Sequence, residues 1–334
     1  MKLKTSAEKE KGNAENDERI LTMNIVFMGT PDFAVPCLDA LIKSGENVTA
    51  VFTQPDKPKG RGYKLTPPPV KELALQNNIP VYQPVSLKKG EYAEAALAEL
   101  KRISPDLIIV VAYGKILPKE ILDLPQYCIN VHASLLPKYR GAGPIQWSVL
   151  NGEKETGVTT MLMAEGVDTG DMLIKRATDI GENETASELH DRLSELGAEV
   201  LLETLKAIKN GTLSPVPQDD SLSTHAPMLT KDMCPIDFSK TAQEVHNQIR
   251  GLSAFPCATA VLDSKRLKVY KSEIVKGSYD AEHCGAIVNA KDFTVSCGDG
   301  NCVRFTEIQA EGGKRMKTAD YLRGKPVEQG TLLK

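Results

Sequence analysis

Short runs of apolar residues at Asn24 to Met28, Val48 to Phe52, Leu107 to Val111 and Cys128 to Val131 alternate with segments in which apolar positions recur at helical spacing. The first such segment carries Ala34, Leu38, Leu41 and Ile42 on one face, and Val70 to Gln76 and Tyr92 to Arg102 read as two more helices. A strand without polar alternation is buried on both sides. The pattern therefore predicts a parallel sheet covered by helices on each face. Gly157 to Met163 alternates and predicts a strand paired with Asp171 to Thr178, and Ala186 to Lys209 carries a long helical pattern through Leu189, Leu193, Leu196 and Leu201. In open sheets of this type ligands bind outside the carboxyl ends of the strands, which directs attention to the loops after Met28, Val111 and Val131.

Beyond Lys209 the pattern changes. Asn210 to Thr224 is rich in turn formers, with two prolines, and reads as a linker. After it, β-like runs recur at Ala258 to Leu262, Leu267 to Tyr270, Ala286 to Val288, Phe293 to Val295 and Val303 to Ile308, which predicts a small β-barrel. A length of 334 residues suits two domains, and 41% hydrophobic with 25% charged residues excludes both a disordered polymer and a membrane protein. Residues 1–22 balance five basic against five acidic side chains and have no apolar core, so a secretory signal is excluded and a disordered leader is expected. Seven cysteines without a CxxC pair point to reduced thiols in the cytoplasm, and no Cys/His spacing fits a metal site. From His225 onward there are 16 Lys plus Arg and 13 Asp plus Glu, a net +3 that leaves −6 for residues 1–224. This basic bias on a barrel is compatible with nucleic-acid contact.

Three stretches carry candidate chemistry. Gly29-Thr30-Pro31-Asp32 follows the first strand but lacks the other glycines of a dinucleotide fingerprint, so a nicotinamide enzyme is disfavoured. Asn130 and His132 stand at i and i+2 at the end of a strand and share a face, an amide donor beside an imidazole. Taken alone, His132 is as well explained as a hydrogen-bonded histidine closing a strand. Asp168 lies between Gly166 and Gly170, where a carboxylate can approach a ligand, although such an Asp more often caps its own turn. Together the three make an acid-base set without an activated serine or cysteine, and point to direct transfer.

Asn130-Val131-His132, Ser134-Leu135-Leu136-Pro137 with Arg140-Gly141, and Asp168-Thr169-Gly170-Asp171 resemble the 10-formyltetrahydrofolate-dependent transformylase family. Asp168 stands 36 residues after His132, the spacing of the family's catalytic pair. Gln54 to Leu65, followed by Pro67-Pro68-Pro69-Val70-Lys71, is similar to the insertion that marks the members acting on methionyl-tRNA. It places Lys57, Lys59, Arg61, Lys64 and Lys71 in a Pro/Gly-rich loop opposed by Asp56 alone, a plausible phosphate-tracking surface. A solvated charged loop is the bland alternative.

The resemblance implies a Rossmann-like open, mostly parallel sheet over 23–209, a linker over 210–224 and an OB-like β-barrel domain over 225–334 that binds tRNA. It implies transfer of the formyl group of 10-formyltetrahydrofolate to the amine of methionyl initiator tRNA, with Asn130, His132 and Asp168 catalytic. The folate is expected against Val111, Tyr113 and Gly114 and against Ser134, Leu135, Leu136 and Pro137, and the RNA against Lys57, Lys59, Arg61 and Lys64. No metal is expected, and a monomer is. The alternatives are a small-molecule amine formyltransferase acting on a glycinamide or amino-sugar nucleotide, and a non-catalytic tRNA-binding factor.

Overall fold

The computed structural model describes residues 23–59, 64–277 and 283–334, so the expected leader lies outside the described residues. The chain divides into two compact units, one comprising the chain up to Asn130 with Leu201–Ser214, the other Val131–Val200 with Pro215–Lys334.

The first unit is built from β1 (Ile25–Gly29), α1 (Val35–Lys43), β2 (Val48–Phe52), β3 (Lys57–Lys59), β4 (Lys64–Thr66), α2 (Pro69–Gln76), β5 (Val81–Tyr82), α3 (Glu91–Ile103), β6 (Leu107–Val111), α4 (Lys119–Leu122) and most of β7 (Tyr127–His132). Strand order is β5-β2-β1-β6-β7, every pairing parallel, with Ile25 opposite Leu107 and Leu107 opposite Tyr127. Every residue of β1 and β6 is buried, which is why neither shows polar alternation. Each Val, Leu or Ile so placed contributes about 1.5–3 kcal/mol relative to exposure. The chain leaves β1 through Gly29, where a Cβ would lie 2.7 Å from the Phe27 ring and 2.9 Å from the Ala34 Cβ. Only glycine permits so tight a departure from strand to helix.

The second unit begins with the end of β7 and continues through α5 (Pro144–Leu150), β8 (Glu155–Leu162), β9 (Met172–Asp179) and α6 (Ala186–Lys209), whose last turns belong to the first unit. In the strand order β8 and β9 follow β7 as an antiparallel pair, Glu155 opposite Asp179, as the alternation predicts.

The C-terminal part contains α7 (Ala242–Leu252), β10 (Ala258–Leu262), β11 (Lys265–Val275), β12 (Ile287–Asn289), β13 (Thr294–Ser296), β14 (Cys302–Ala310), β15 (Met316–Lys317) and α8 (Thr318–Gly324). The antiparallel order is β10-β11-β14-β13-β12, with β15 on β14. Closure comes from Thr331 to Lys334. Lys334 exchanges backbone hydrogen bonds with Val261 on β10, while Leu333 donates to Gly285 and Thr331 accepts from Ile287 at the other edge. One short segment thus occupies both free edges.

Two helices depart from the all-strand expectation for this part. α7 starts at a capping box, in which the Thr241 side chain accepts from the Glu244 N–H and the Glu244 carboxylate accepts from the Thr241 N–H. The Thr-x-x-Glu spelling was the available signal. Val245, Ile249 and Leu252 of α7 enter one core with Leu267, Val269, Phe305 and Ile308 of the sheet.

Candidate active site

β7 ends with Asn130 half-buried and His132 buried, two residues apart and therefore on one side of the strand. His132 faces an oxygen on each side. Its Nε2 lies 2.9 Å from the Tyr139 carbonyl oxygen, and its Nδ1 lies 3.6 Å from Oδ2 of Asp168. A carbonyl only accepts, so Nε2 carries a proton, and Nδ1 is the ring nitrogen turned toward Asp168. The carboxylate waits there. Asp168 Oδ2 also accepts from the Gly141 N–H at 2.8 Å. The Nδ1 to Oδ2 gap exceeds a hydrogen bond, so direct proton exchange needs an approach of about half an ångström or an intervening water.

Both oxygen-bearing partners are strained. Tyr139 has φ +61° and Asp168 φ +53°, left-handed conformations that cost of order 1–3 kcal/mol each in a residue with a Cβ. The Asp168 loop joins β8 to β9 and is shaped by its glycines: a Cβ on Gly170 would sit 1.8 Å from the Leu162 carbonyl oxygen. Its carbonyls at Asp168 and Gly170 accept from the Gln218 amide at 2.9 and 2.7 Å. Tyr139 in turn donates its N–H to Thr224 Oγ1 at 2.8 Å. Gln218 and Thr224 had no signal in the sequence, because their partners lie about 50 and 85 residues away.

Ser134, Leu135, Leu136 and Pro137 follow His132 directly. Ser134 is buried, donating to the Lys138 carbonyl and accepting at its own carbonyl from Thr159 Oγ1, both at 2.7 Å. Leu135 finds room because β8 has Gly157 there, where a Cβ would lie 2.6 Å from Leu135 Cδ2. Leu136 packs with Met161 and Met172.

In the first unit, the last residue of β6, Val111, and the loop after it, with Tyr113 and Gly114, hold the other expected folate residues. Thr30 Oγ1 donates to the Tyr113 carbonyl at 3.0 Å, and the Gln54 amide donates to the carbonyls of Tyr113 and Gly114 at 3.2 and 3.1 Å. Tyr113 is buried, and its hydroxyl has no hydrogen-bond partner among the described residues. Burial pushes the Cys128 thiol on β7 up to about 12, so it stays protonated at neutral pH.

The basic insertion forms a hairpin, with Lys57 opposite Thr66 and Lys59 opposite Lys64. Arg61 lies outside the described residues. Lys71 differs from the expectation of a free phosphate hook, since its ammonium contacts Asp56 at 2.8 and 2.9 Å and Gln83 at 2.8 Å. The Gln83 amide and the Lys71 ammonium together hold the Asp56 carboxyl below its ordinary value. Lys115, in the loop after β6, donates to the Val85 carbonyl at 2.6 Å, and burial, followed by the charge of Lys57, holds its ammonium below its ordinary value. Among the described residues no group of three or more His, Cys, Asp and Glu side chains is placed to hold a metal ion.

A buried histidine facing a carboxylate at the end of a strand in an α/β sheet, followed by an antiparallel barrel, is a combination to set beside known proteins. Residues 23–205 match the family described as formyl transferase, and residues 228–326 match the formyl transferase C-terminal domain. The chain is 53% identical over 314 residues to a methionyl-tRNA formyltransferase of Caldanaerobacter subterraneus, covering 93% of this chain and 100% of that one. It is 52% identical over 316 residues to the methionyl-tRNA formyltransferase of Clostridium novyi, covering 93% and 100%. The chain belongs to the formyl transferase family, in its methionyl-tRNA formyltransferase branch. Among solved structures, the sugar 3N-formyl transferase WlaRD, determined with dTDP and 5-N-formyl-THF, shares the fold at TM-score 0.63 and 22% identity, covering 85% of this chain and 97% of that one. HypX from Aquifex aeolicus, in complex with tetrahydrofolic acid, does so at TM-score 0.62 and 17% identity, covering 94% and 51%.

Proposed function

We propose that the chain transfers the formyl group of 10-formyltetrahydrofolate directly to the free amine of methionyl initiator tRNA, with Asn130, His132 and Asp168 carrying the chemistry. That it is a methionyl-tRNA formyltransferase using a folate co-substrate follows from its family. The direct route is carried by one observation: a buried imidazole whose Nε2 proton is committed to Tyr139 and whose Nδ1 faces a carboxylate.

The attacking amine adds to the formyl carbon, and the carbonyl π electrons move to oxygen, giving a tetrahedral oxyanion. The Asn130 amide donates to it, a well-placed donor contributing roughly 3–4 kcal/mol, and protonated His132 stabilises it by its charge. The amine sheds a proton, the oxyanion collapses, the bond from carbon to the folate nitrogen breaks, and that nitrogen takes a proton. His132 and Asp168 hold the proton inventory of these steps, Asp168 orienting the ring and balancing its charge. The protonated Cys128 offers no thiolate for a covalent route.

Under this reading the folate sits against Val111, Tyr113, Gly114 and Ser134 to Pro137, apolar walls with a few backbone polar groups, as a flat heterocycle requires. Lys57, Lys59, Arg61 and Lys64 supply salt-sensitive affinity for RNA phosphates, and the barrel domain over 225–334, beyond the linker at 210–224, adds its basic side chains. The protein acts as a monomer in the cytoplasm.

The test is to supply 10-formyltetrahydrofolate and compare methionyl initiator tRNA, methionyl elongator tRNA and free small amines as acceptors. Selective formylation of the first is expected, and formylation of small amines alone would overturn the RNA reading. Arg61→Ala should lower formylation of tRNA while sparing folate hydrolysis, and equal loss in both reactions would contradict an RNA contact.

A further inference from the structure

We infer that Gln218 and Thr224, on the segment between α6 and the barrel, are positioning residues that hold the His132–Asp168 pair in its working geometry. The inference rests on the reading of His132 and Asp168 as the acid-base pair. From residue 214 to residue 222 every residue is exposed except Gln218, which is half-buried. Its carboxamide uses both ends. The oxygen accepts from Arg140 Nε at 3.0 Å, and the nitrogen donates to the carbonyls of Asp168 and Gly170. Two carbonyls on one end and a guanidinium on the other leave only one orientation of the amide.

The geometry gives this arrangement a purpose. The imidazole is bonded through Nε2 to the Tyr139 carbonyl and faces the Asp168 carboxylate at Nδ1, and each of those residues sits in a left-handed conformation. A residue with a Cβ keeps such a conformation only when its surroundings over-determine it. Gln218 supplies that constraint to Asp168, and Thr224 supplies it to Tyr139. The two clamps are also tied together. Arg140 donates its N–H to the Thr224 carbonyl, its own carbonyl accepts from the Ala226 N–H, and its side chain reaches Gln218. The segment is anchored upstream as well, where Val216 exchanges two backbone hydrogen bonds with Met172 at the start of β9. Releasing either clamp lets one face of the imidazole drift, and a shift of about an ångström at a reacting group costs up to about 100-fold in rate.

The experiment measures single-turnover formyl transfer to methionyl initiator tRNA by the full chain carrying Gln218→Ala, Gln218→Glu, Thr224→Val, Thr224→Ser, Asp168→Ala and the Gln218→Ala/Asp168→Ala pair. Gln218→Ala should lower kcat about 10- to 100-fold with KM for both substrates within about twofold. Gln218→Glu keeps the acceptor for Arg140 and the side-chain volume but loses both donors, so it should fold and remain impaired. Thr224→Ser should retain turnover and Thr224→Val lose it. In the double variant the loss should be no larger than with Asp168→Ala alone, because Gln218 acts through Asp168. Ring nitrogen NMR of His132 should change from a fixed Nε2–H pattern to a tautomer mixture in Thr224→Val, which frees the Tyr139 carbonyl that fixes the tautomer.

Multiplying losses in the double variant, wild-type turnover in Gln218→Ala, or a loss confined to KM for tRNA would each overturn the inference. Wild-type turnover in Asp168→Ala would instead overturn the acid-base reading beneath it, and the two failures are told apart by which single variant stays active.

Discussion

The chain carries two almost wholly buried histidines in its second unit, and both donate from Nε2 to a backbone carbonyl, His132 to Tyr139 and His246 to Glu182. Their Nδ1 atoms have different neighbours. At His246 it is the Ser272 hydroxyl, 2.8 Å away, a neutral donor that completes a satisfied neutral ring. At His132 it is the Asp168 carboxylate, a charged acceptor 3.6 Å away, just beyond hydrogen-bond distance. Burial alone therefore does not separate a structural histidine from a working one. The charge state of the second partner does.

The most severe way to break this comparison is to remove the rings. His132→Ala and Asn130→Ala should each cut turnover by about two orders of magnitude or more in a protein that still folds; steady-state formylation beside a thermal melt checks both. A purified variant with near-normal turnover would remove its residue from the mechanism. His246→Ala should invert the pattern, costing about 2–4 kcal/mol in chemical unfolding by leaving Ser272 and the Glu182 carbonyl unpaired around a cavity, with turnover changed less than about twofold. A stable but inactive His246→Ala protein would contradict a structural role.

A pH series sharpens the same contrast. Burial, followed by the Arg250 charge among the lowering influences, holds His246 below its ordinary value of 6.5, against an opposing hydrogen bond to Glu182 and the charge of Glu273. The unfolded ring then binds a proton at a higher pH than the folded one. Stability from this group is complete above about pH 6.5 and is lost as pH falls toward the folded value. The melting temperature of the wild type should decline between about pH 7 and pH 5 more steeply than that of His246→Gln, and parallel curves would refute the assignment. The smallest effect is expected at the rim of the catalytic network. Asp220 receives Arg140 at 2.8 Å but its side chain is 83% exposed, so Asp220→Asn should change stability by less than about 0.5 kcal/mol and turnover by less than about twofold.

The parts of the fold legible in the sequence are those set by local pattern. β2, β6, β10 and α6 fall where periodicity places them, because a buried strand or an amphipathic helix writes its burial into consecutive residues. His132 and Asp168 were legible too, one at a strand end and one between glycines, and they do meet. Gln218 and Thr224 were hidden, for a turn-rich stretch gives no sign of which polar side chain it turns inward. The left-handed conformations of Tyr139 and Asp168 were equally invisible, since neither is glycine. α7 was missed for a different reason: its capping box was present, but the short β-like runs that follow it drew the reading toward strands.

The closure of the barrel by Thr331 to Lys334 has a consequence for synthesis. Val261 on β10 gains its outer partner only when Lys334 has been made, 73 residues later. At roughly 5–20 residues per second that interval is about 4–15 s, during which the edge of β10 is paired at Thr259, with Cys234 and Ile236, but open at Val261. Slower synthesis of residues 262–334 therefore lengthens the time for which that edge stays open at Val261.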